Sequence, residues 1–290
     1  MPVAIVSDTC HYLPRDLVAS NGIHEVSLYV HRDGVAERES GLSDYDDYYR
    51  RLADLGALPT TSQPSIGDFL TVYEPLIAAG NEIVSIHLAG GMSGTYRSAL
   101  QAREQLGDAA ERVHVVDSAT ACGGEGLMLM AAAAAARGGA DAATSVARAQ
   151  QVREALKLWF AIDTLEYLRR GGRIAGAQAW LGTALRIKPI LSVESEITPI
   201  ERVRTSKKAF DRLAGLLEEC KRIGNDGWVV QHIQAAEQAE RLVEAGREIY
   251  GSEPIFVSEV GPVIGTYTGP GLLGVGGVPR SLVPAGLPIT

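Results

Sequence analysis

Short, mostly apolar runs alternate with longer amphipathic segments over the first half of the chain. A short apolar run predicts a buried strand, whereas apolar residues at three- and four-residue spacing predict a helix. The pattern predicts strands at residues 3–6, 26–30, 83–88 and 113–116, and helices beginning at residue 14, at 44–53, at 67–79, after Ser93 and ending at Arg137. Such alternation is typical of a mostly parallel sheet covered on both faces.

The pattern changes near residue 141. The next predicted elements are a helix at 142–155, a strand at 158–162, a helix that begins near Leu165 and ends at Gly171-Gly172, and a small apolar helix at 177–185. They are followed by a hairpin of 188–193 and 197–204, a helix at 207–222, a strand at 228–232, a helix at 236–250, a strand at 255–260 and a closing glycine loop. This order favours more antiparallel pairing. We therefore expect an α/β fold of two domains, 1–155 with a mostly parallel sheet and 156–280 with a mixed sheet, and a mobile Pro- and Gly-rich tail at 281–290.

Composition narrows the function classes. A chain of 290 residues that is 46% apolar can bury the core of two ordinary domains. The net charge of −8 gives no general attraction to nucleic acid. With this charge we expect no more than transient contact with a membrane. Three scattered cysteines, no basic-apolar leader and no apolar run of about 20 residues predict a cytoplasmic protein. We take a monomer as the default.

A glycine-rich turn separates the strand at 83–88 from the following helix. Gly90 and Gly91 let the backbone turn tightly, and Ser93 lies at or beside the N-cap of that helix. The first amides of a helix have no partner within it and lie at the positive end of its dipole, so the turn predicts a site for a phosphate or a carboxylate. The alternative is that Ser93 only caps its own helix.

Two further polar clusters are candidates for ligand contacts. Four hydroxyl residues lie between Thr60 and Ser65, although a turn that leads into a helix needs only one of them as a cap. We expect some of the surplus to face a ligand. Asp8 follows the first strand, at the end where ligands gather in open α/β sheets, but it can equally cap the helix that begins at Pro14.

Several familiar motifs are incomplete. Residues 269–274 match G-x-G-x-x-G, but too few residues follow them to build a dinucleotide-binding unit. Gly91–Gly94 is similar to a nucleophile elbow, yet Thr95 replaces the second glycine and no histidine is tied to Ser93. The six histidines show no metal spacing and the sequence has no P-loop motif, so we expect neither a metal nor a cofactor.

Five segments together resemble the signature segments of the DegV family, in the order of the family and over essentially the whole chain. They are TSQPS at 61–65, SGTY at 93–96, LEYLRRGGRI at 165–174, KPIL at 188–191 and GPVIGTYTGPG at 261–271. The resemblance implies two α/β domains with a long-chain fatty acid in a tunnel between them. It also implies a lipid-binding subunit without its own catalysis, which presents the acyl carboxylate to a separate ATP-dependent fatty acid kinase subunit.

The resemblance also implies roles for individual residues. It places Thr61, Ser62 and Ser93 on the fatty acid carboxylate, in agreement with the anion site predicted from the glycine turn. Further members of the implied ligand site are Gly94, Thr95, Arg173, Ile174, Thr266 and Tyr267. Three arginines match basic positions at the tunnel mouth or at the kinase contact: Arg173, Arg202 and Arg204.

One position departs from the family pattern. Tyr267 stands where the pattern Gly-Thr-His-Thr-Gly-Pro-Gly has a histidine that helps to hold the carboxylate. A phenol can donate one hydrogen bond but cannot become a cation at neutral pH, and charge-assisted hydrogen bonds are about twice as strong as neutral ones. The departure favours either a weaker grip on the carboxylate or a different head group. The alternatives to a fatty acid carrier are thus a carrier of another amphipathic acid and a Ser93-dependent acyl hydrolase.

Apolar burial favours a tunnel over a surface groove. Each buried methylene is worth about 0.8 kcal/mol, so a sixteen-carbon chain offers on the order of 12 kcal/mol before the costs of binding. The residues available to line such a tunnel are Ile174, Leu181, Leu185, Ile190, Leu191 and Ile264, and each could equally serve the ordinary core.

Overall fold

A computed structural model describes residues 1–42, 44–54, 58–180 and 187–283. The elements of the first half are β1 (Val3–Asp8), α1 (Arg15–Asn21), β2 (Ile23–Val26), β3 (Tyr29–Arg32), β4 (Val35–Arg38), α2 (Tyr45–Asp54), β5 (Thr60–Ser62), α3 (Ile66–Ala78), β6 (Glu82–His87), α4 (Thr95–Gln105), β7 (Val113–Asp117), α5 (Gly123–Arg137) and α6 (Ala142–Ala155). Those of the second half are β8 (Lys157–Ala161), α7 (Glu166–Arg170), β9 (Lys188–Glu194), β10 (Glu196–Val203), α8 (Ser206–Arg222), β11 (Gly227–His232), α9 (Ala236–Tyr250), β12 (Phe256–Glu259), α10 (Pro262–Thr268) and β13 (Leu273–Val278).

The first half contains a parallel sheet with the strand order β2-β1-β6-β7. Its side chains alternate between two buried faces. Ile5 and Val84 lie in a cluster with residues of α5 and α6, whereas Val6 and Ile83 lie in a cluster with residues of α3 and α4. The predicted parallel sheet with helices on both faces is therefore confirmed.

The second half contains a mixed sheet with the strand order β10-β9-β8-β13-β11-β12. β11 and β12 pair in parallel, and the other neighbours pair antiparallel. Helices α8 and α9 cover one face, where Leu213 and Leu242 cluster around the fully buried Trp228. Phe160 and Val229 contribute the other face to clusters that contain residues of the first half. The division into two domains at residue 155 therefore stays a prediction, although the change of sheet falls between α6 and β8.

Three predicted elements differ in the structure. The strand predicted at 26–30 is broken at Ser27-Leu28, so that β2 pairs in the parallel sheet and β3 in a separate antiparallel sheet with the order β4-β3-β5. The predicted hydroxyl-rich turn contains strand β5, which pairs with β3, and Ser65 alone caps α3 by accepting from the Asp68 amide. Strand formation here depends on a partner 30 residues away, which local spacing does not reveal.

The predicted closing glycine loop contains helix α10 and strand β13, and β13 lies in the middle of the mixed sheet. Its hydrogen-bonded neighbours on both sides stabilise a glycine-rich segment that has weak strand propensity of its own.

The ends of two other predictions fall outside the described residues. Of the apolar helix predicted at 177–185, residues 177–180 lie in a 3₁₀ helix that spans Ala175–Trp180. Residues 181–186 are not among the described residues. Of the tail predicted at 281–290, Arg280–Leu282 form a 3₁₀ turn and Val283 is buried, while 284–290 are not described.

Asp8 does not cap the helix that begins near Pro14. Its buried carboxylate accepts hydrogen bonds from the backbone amides of Cys10 (2.8 Å) and Leu88 (3.0 Å). The prediction of a helix cap at α1 is therefore wrong, because the Asp8 side chain instead caps the 3₁₀ turn at Thr9–His11.

Candidate functional site

A cavity lies where the loops of the first half meet the mixed sheet and helix α10. It contains about 980 Å³ free of protein atoms, its opening to solvent included. Most of its lining is apolar, and both halves of the chain contribute: Leu28, Leu88, Met92, Leu158, Phe160, Leu168, Val193, Ile197, Val229, Val260, Val263, Ile264 and Leu272. Cys122 also lines it, and because burial raises the pKa of this thiol, Cys122 acts as a neutral, mostly apolar contact.

Several polar residues line the cavity, and some of them are in direct contact with one another. The Thr61 Oγ1 and Tyr267 Oη atoms are 2.6 Å apart and hydrogen-bonded. The guanidinium carbon of Arg173 lies 4.5 Å from the centre of the Tyr267 ring, a cation–π distance. The Gln63 amide lies against Gly94, where a β-carbon would be 3.0 Å from Gln63 Nε2. We call Thr61, Gln63, Ser93, Gly94, Arg173 and Tyr267 the polar cluster; its donors can bind an anionic head group.

Two glycines bring Arg173 to the cavity. Helix α7 ends at Arg170, and Gly172 then adopts a φ of +74°, which glycine adopts readily. A β-carbon at Gly171 would lie 2.2 Å from the Tyr267 ring, so only glycine allows the ring to pack there. Arg173 Nη1 donates to the Gly171 carbonyl oxygen at 2.7 Å. The structure thus places Arg173 in the lining of the cavity.

Ser93 lies beside the N-cap of α4, as predicted. The N-cap residue of α4 is Gly94, which caps with no side chain, and Ser93 Oγ accepts from the Thr95 amide at 3.3 Å. Ser93 Oγ also lies 2.9 Å from Thr95 Oγ1. Among the described residues, no histidine is hydrogen-bonded to Ser93, and buried His87 bonds to Ser85 instead. A base for a Ser93 nucleophile is therefore missing from this part of the chain.

Four residues assigned to the ligand site by resemblance do not line the cavity. Ser62 Oγ is hydrogen-bonded to His31 Nε2 at 2.7 Å, because neighbouring residues of strand β5 project to opposite sides. Thr266 Oγ1 donates to the Pro262 carbonyl oxygen within α10, and Thr95 is fully buried beside Ser93. Ile174 lies in the apolar cluster that adjoins the cavity.

Among the described members of the six apolar residues predicted to line a tunnel or to serve the core, one lines this cavity. Ile264 lines the cavity. Ile190 is buried on the other face of the sheet, with α8 and α9, and Leu191 lies in the adjoining core cluster. Leu181 and Leu185 lie outside the described residues. Gln63 also lines the cavity but was not among the predicted site residues, although it lies within the segment TSQPS at 61–65. The residues that β8, β11 and β13 contribute were not predicted either.

Two of the three arginines at the predicted tunnel mouth or kinase contact, Arg202 and Arg204, lie on the surface. Arg202 and Arg204 are exposed on or next to β10, and the guanidinium carbon of Arg202 lies 5.2 Å from the centre of the Trp180 ring. Neither arginine lines the cavity.

A buried carboxylate holds the helix that carries Tyr267. Glu39 Oε1 accepts from the Val263 amide at the start of α10 (2.8 Å) and from Tyr12 Oη (2.7 Å), and Oε2 accepts from Thr9 Oγ1 (2.6 Å). Burial raises the pKa of Glu39 to about 7, although these hydrogen bonds oppose the shift. No motif marked Glu39, because its partners are distant in sequence.

The described residues give no sign of a metal site or of a membrane-spanning helix. They contain no group of three or more His, Cys, Asp or Glu residues placed to hold a metal ion. None of their helices is long and apolar enough to cross a membrane.

Comparison with known proteins identifies relatives of the whole chain. A family model described as "Uncharacterised protein, DegV family" matches residues 2–280. The chain is 33% identical over 278 residues to Protein DegV of Bacillus subtilis, covering 95% of this chain and 98% of that protein. It is 37% identical over 276 residues to a DegV domain-containing protein of Streptomyces coelicolor, covering 94% and 97%.

Solved structures give the same result. A DegV family protein of Thermus thermophilus, described for its fatty acid binding, has a TM-score of 0.86 at 31% identity and covers 96% of this chain and 99% of its own. DegV of Bacillus subtilis, described as a fatty acid binding protein, has a TM-score of 0.86 at 32% identity with the same coverage. Together with the match of the family model, these likenesses show that the chain belongs to the DegV family.

Proposed function

We propose that this protein binds one long-chain fatty acid, with the acyl chain in the apolar cavity and the carboxylate at the polar cluster. The observation that carries the proposal is a mostly apolar cavity whose lining includes the hydrogen-bond donors of the polar cluster. Relatives described as fatty acid-binding proteins support it. A few polar contacts in an apolar cavity fix the orientation of an amphipathic ligand, while the apolar contacts supply most of the affinity.

Arg173 supplies the positive charge that Tyr267 lacks. Its guanidinium group lies over the Tyr267 ring and lines the cavity, so it can reach a carboxylate that also accepts hydrogen bonds from Thr61 and Ser93. Charge-assisted hydrogen bonds from Arg173 then offset the loss of an imidazolium group at position 267.

A kinase partnership completes the proposal. The bound carboxylate is presented to a separate ATP-dependent kinase subunit, which forms the acyl phosphate, and the exposed Arg202 and Arg204 contact that subunit. The protein itself performs no catalysis, and the absence of a hydrogen-bonded base from Ser93 among the described residues supports this role over that of an acyl hydrolase.

Native mass spectrometry of the freshly purified protein tests the binding function, followed by extraction and identification of what it releases. We expect one fatty acid of 14 to 18 carbons per chain. A different amphipathic acid, or an empty protein that takes up no added fatty acid, would refute it. Labelling of Ser93 by a fluorophosphonate probe, compared with Ser93→Ala, would instead favour the hydrolase.

A further inference from the structure

Strand β13 has two unequal faces. Leu273 and Val275 project toward α8 and α9, into the cluster that contains Trp228. Because side chains alternate along a strand, Gly274 and Gly276 lie on the opposite face. Gly274 lines the cavity.

Larger residues on the neighbouring strands flank both glycines. The register forms two rows across β8, β13 and β11: Phe160–Gly274–Gln231 and Leu158–Gly276–Val229. All four flanking residues line the cavity. The backbone of β13 is therefore the floor of a groove between two lines of side chains.

The two glycines differ in the space above them. A β-carbon at Gly274 would have its nearest atoms, Phe160 Cβ and the Trp159 carbonyl oxygen, at 3.5 Å, an ordinary van der Waals distance. A β-carbon at Gly276 would lie 2.8 Å from Leu158 Cδ1. The groove is thus open at Gly274, and the Leu158 side chain closes it at Gly276.

The groove suits the apolar end of a ligand. The amide of Gln231 is already engaged, since its Oε1 accepts from the Gly123 amide and its Nε2 donates to Ser258 Oγ. The residues of the polar cluster belong to other elements. An acyl tail in the groove would therefore displace no hydrogen bond and leave no polar atom unpaired.

We propose that Gly274 sets the length of the acyl chain that this cavity accepts, with the methyl end over Gly274 and Leu158 as the end wall. The inference rests on the proposed binding of a fatty acid. It assigns a specificity role to a position that only the sheet register identifies.

The test compares the wild type with Gly274→Val and Leu158→Ala for binding of saturated fatty acids of 12 to 20 carbons. Valine places three carbons in the groove, and each methylene kept out of an apolar site lowers affinity about fourfold. We expect Gly274→Val to lower the affinity for the 18-carbon acid at least about tenfold and to leave that for the 12-carbon acid within about twofold. Leu158→Ala should move the preferred length upward by one or two carbons.

Gly41→Val is the matched control, because Gly41 is exposed and a β-carbon there meets no atom within 4 Å. Should Gly274→Val follow the length profile of Gly41→Val, or lose affinity equally at all lengths, the inference is overturned while fatty acid binding stands. A wild type that binds no fatty acid refutes the proposed function itself. If Gly274→Val does not fold, judged by its thermal melting, Gly274→Ala must still shorten the preferred chain by about one carbon.

Discussion

Glu39 provides a test of how the site helix is held. Its carboxyl group is buried, titrates at about 7 instead of 4.5, and bonds to the first turn of α10. Between these two values the folded protein binds a proton that the unfolded chain has lost. The free energy of unfolding therefore falls as the pH rises through this window, and it levels off above the folded pKa.

The size of the effect follows from the two pKa values. A shift from 4.5 to about 7 corresponds to a loss of about 2 to 3 kcal/mol of unfolding free energy between pH 5 and pH 8. Glu39→Gln cannot titrate, yet its amide can accept from Tyr12 and Val263 and donate to Thr9. We expect the variant to gain stability relative to the wild type by this amount as the pH rises.

Urea unfolding of both proteins at several pH values measures this difference, since subtraction cancels the other titrating groups. Glu104→Gln, at an exposed position of α4, is the control and should run parallel to the wild type. If the difference between the wild type and Glu39→Gln stays constant from pH 5 to pH 8, Glu39 does not titrate in this window and the reasoning is wrong.

Three further predictions concern the site and the core. Tyr267→His should raise the affinity for fatty acid, most at low pH where imidazole is charged, and unchanged binding would show that position 267 does not touch the carboxylate. Gly171→Ala should lower fatty acid affinity about tenfold by displacing the Tyr267 ring, whereas Gly215→Ala in α8, with no neighbour nearer than 3.8 Å, should bind as the wild type does in the same titration. Trp228→Ala should cost about 3 to 5 kcal/mol in denaturant unfolding, because the fully buried ring stacks on Tyr250 at 5.3 Å; a cost below about 1 kcal/mol would contradict that burial.

Residue patterns within single segments predicted the parallel sheet and most of the helices. The strand at Glu82–His87, the glycine turn after it and the helix at Thr95–Gln105 follow from apolar periodicity and backbone freedom within a few residues. Helices α6 and α9 have the predicted bounds for the same reason. The segments that carry the resemblance to the DegV family also contain Thr61, Ser93 and Arg173, which line the same cavity.

Tertiary structure decided which of several equivalent residues face that cavity. Thr61 and Ser62 are adjacent hydroxyl residues, and the pairing of β5 with β3 turns one toward Tyr267 and the other toward His31. Composition alone cannot make this choice, because both residues have the same chemistry.

Local sequence patterns likewise did not predict the strand that forms the floor of the cavity. Residues Leu273–Val278 read as a loop because glycines weaken strand propensity, yet neighbours on both sides make this segment the central strand. Glu39 carried no motif, since its three partners lie far from it in sequence. The sequence by itself thus determined most of the helices and strands and the polar residues available at the site, whereas long-range strand pairing and burial decided the shape of the cavity and raised the pKa of the group that holds its helix.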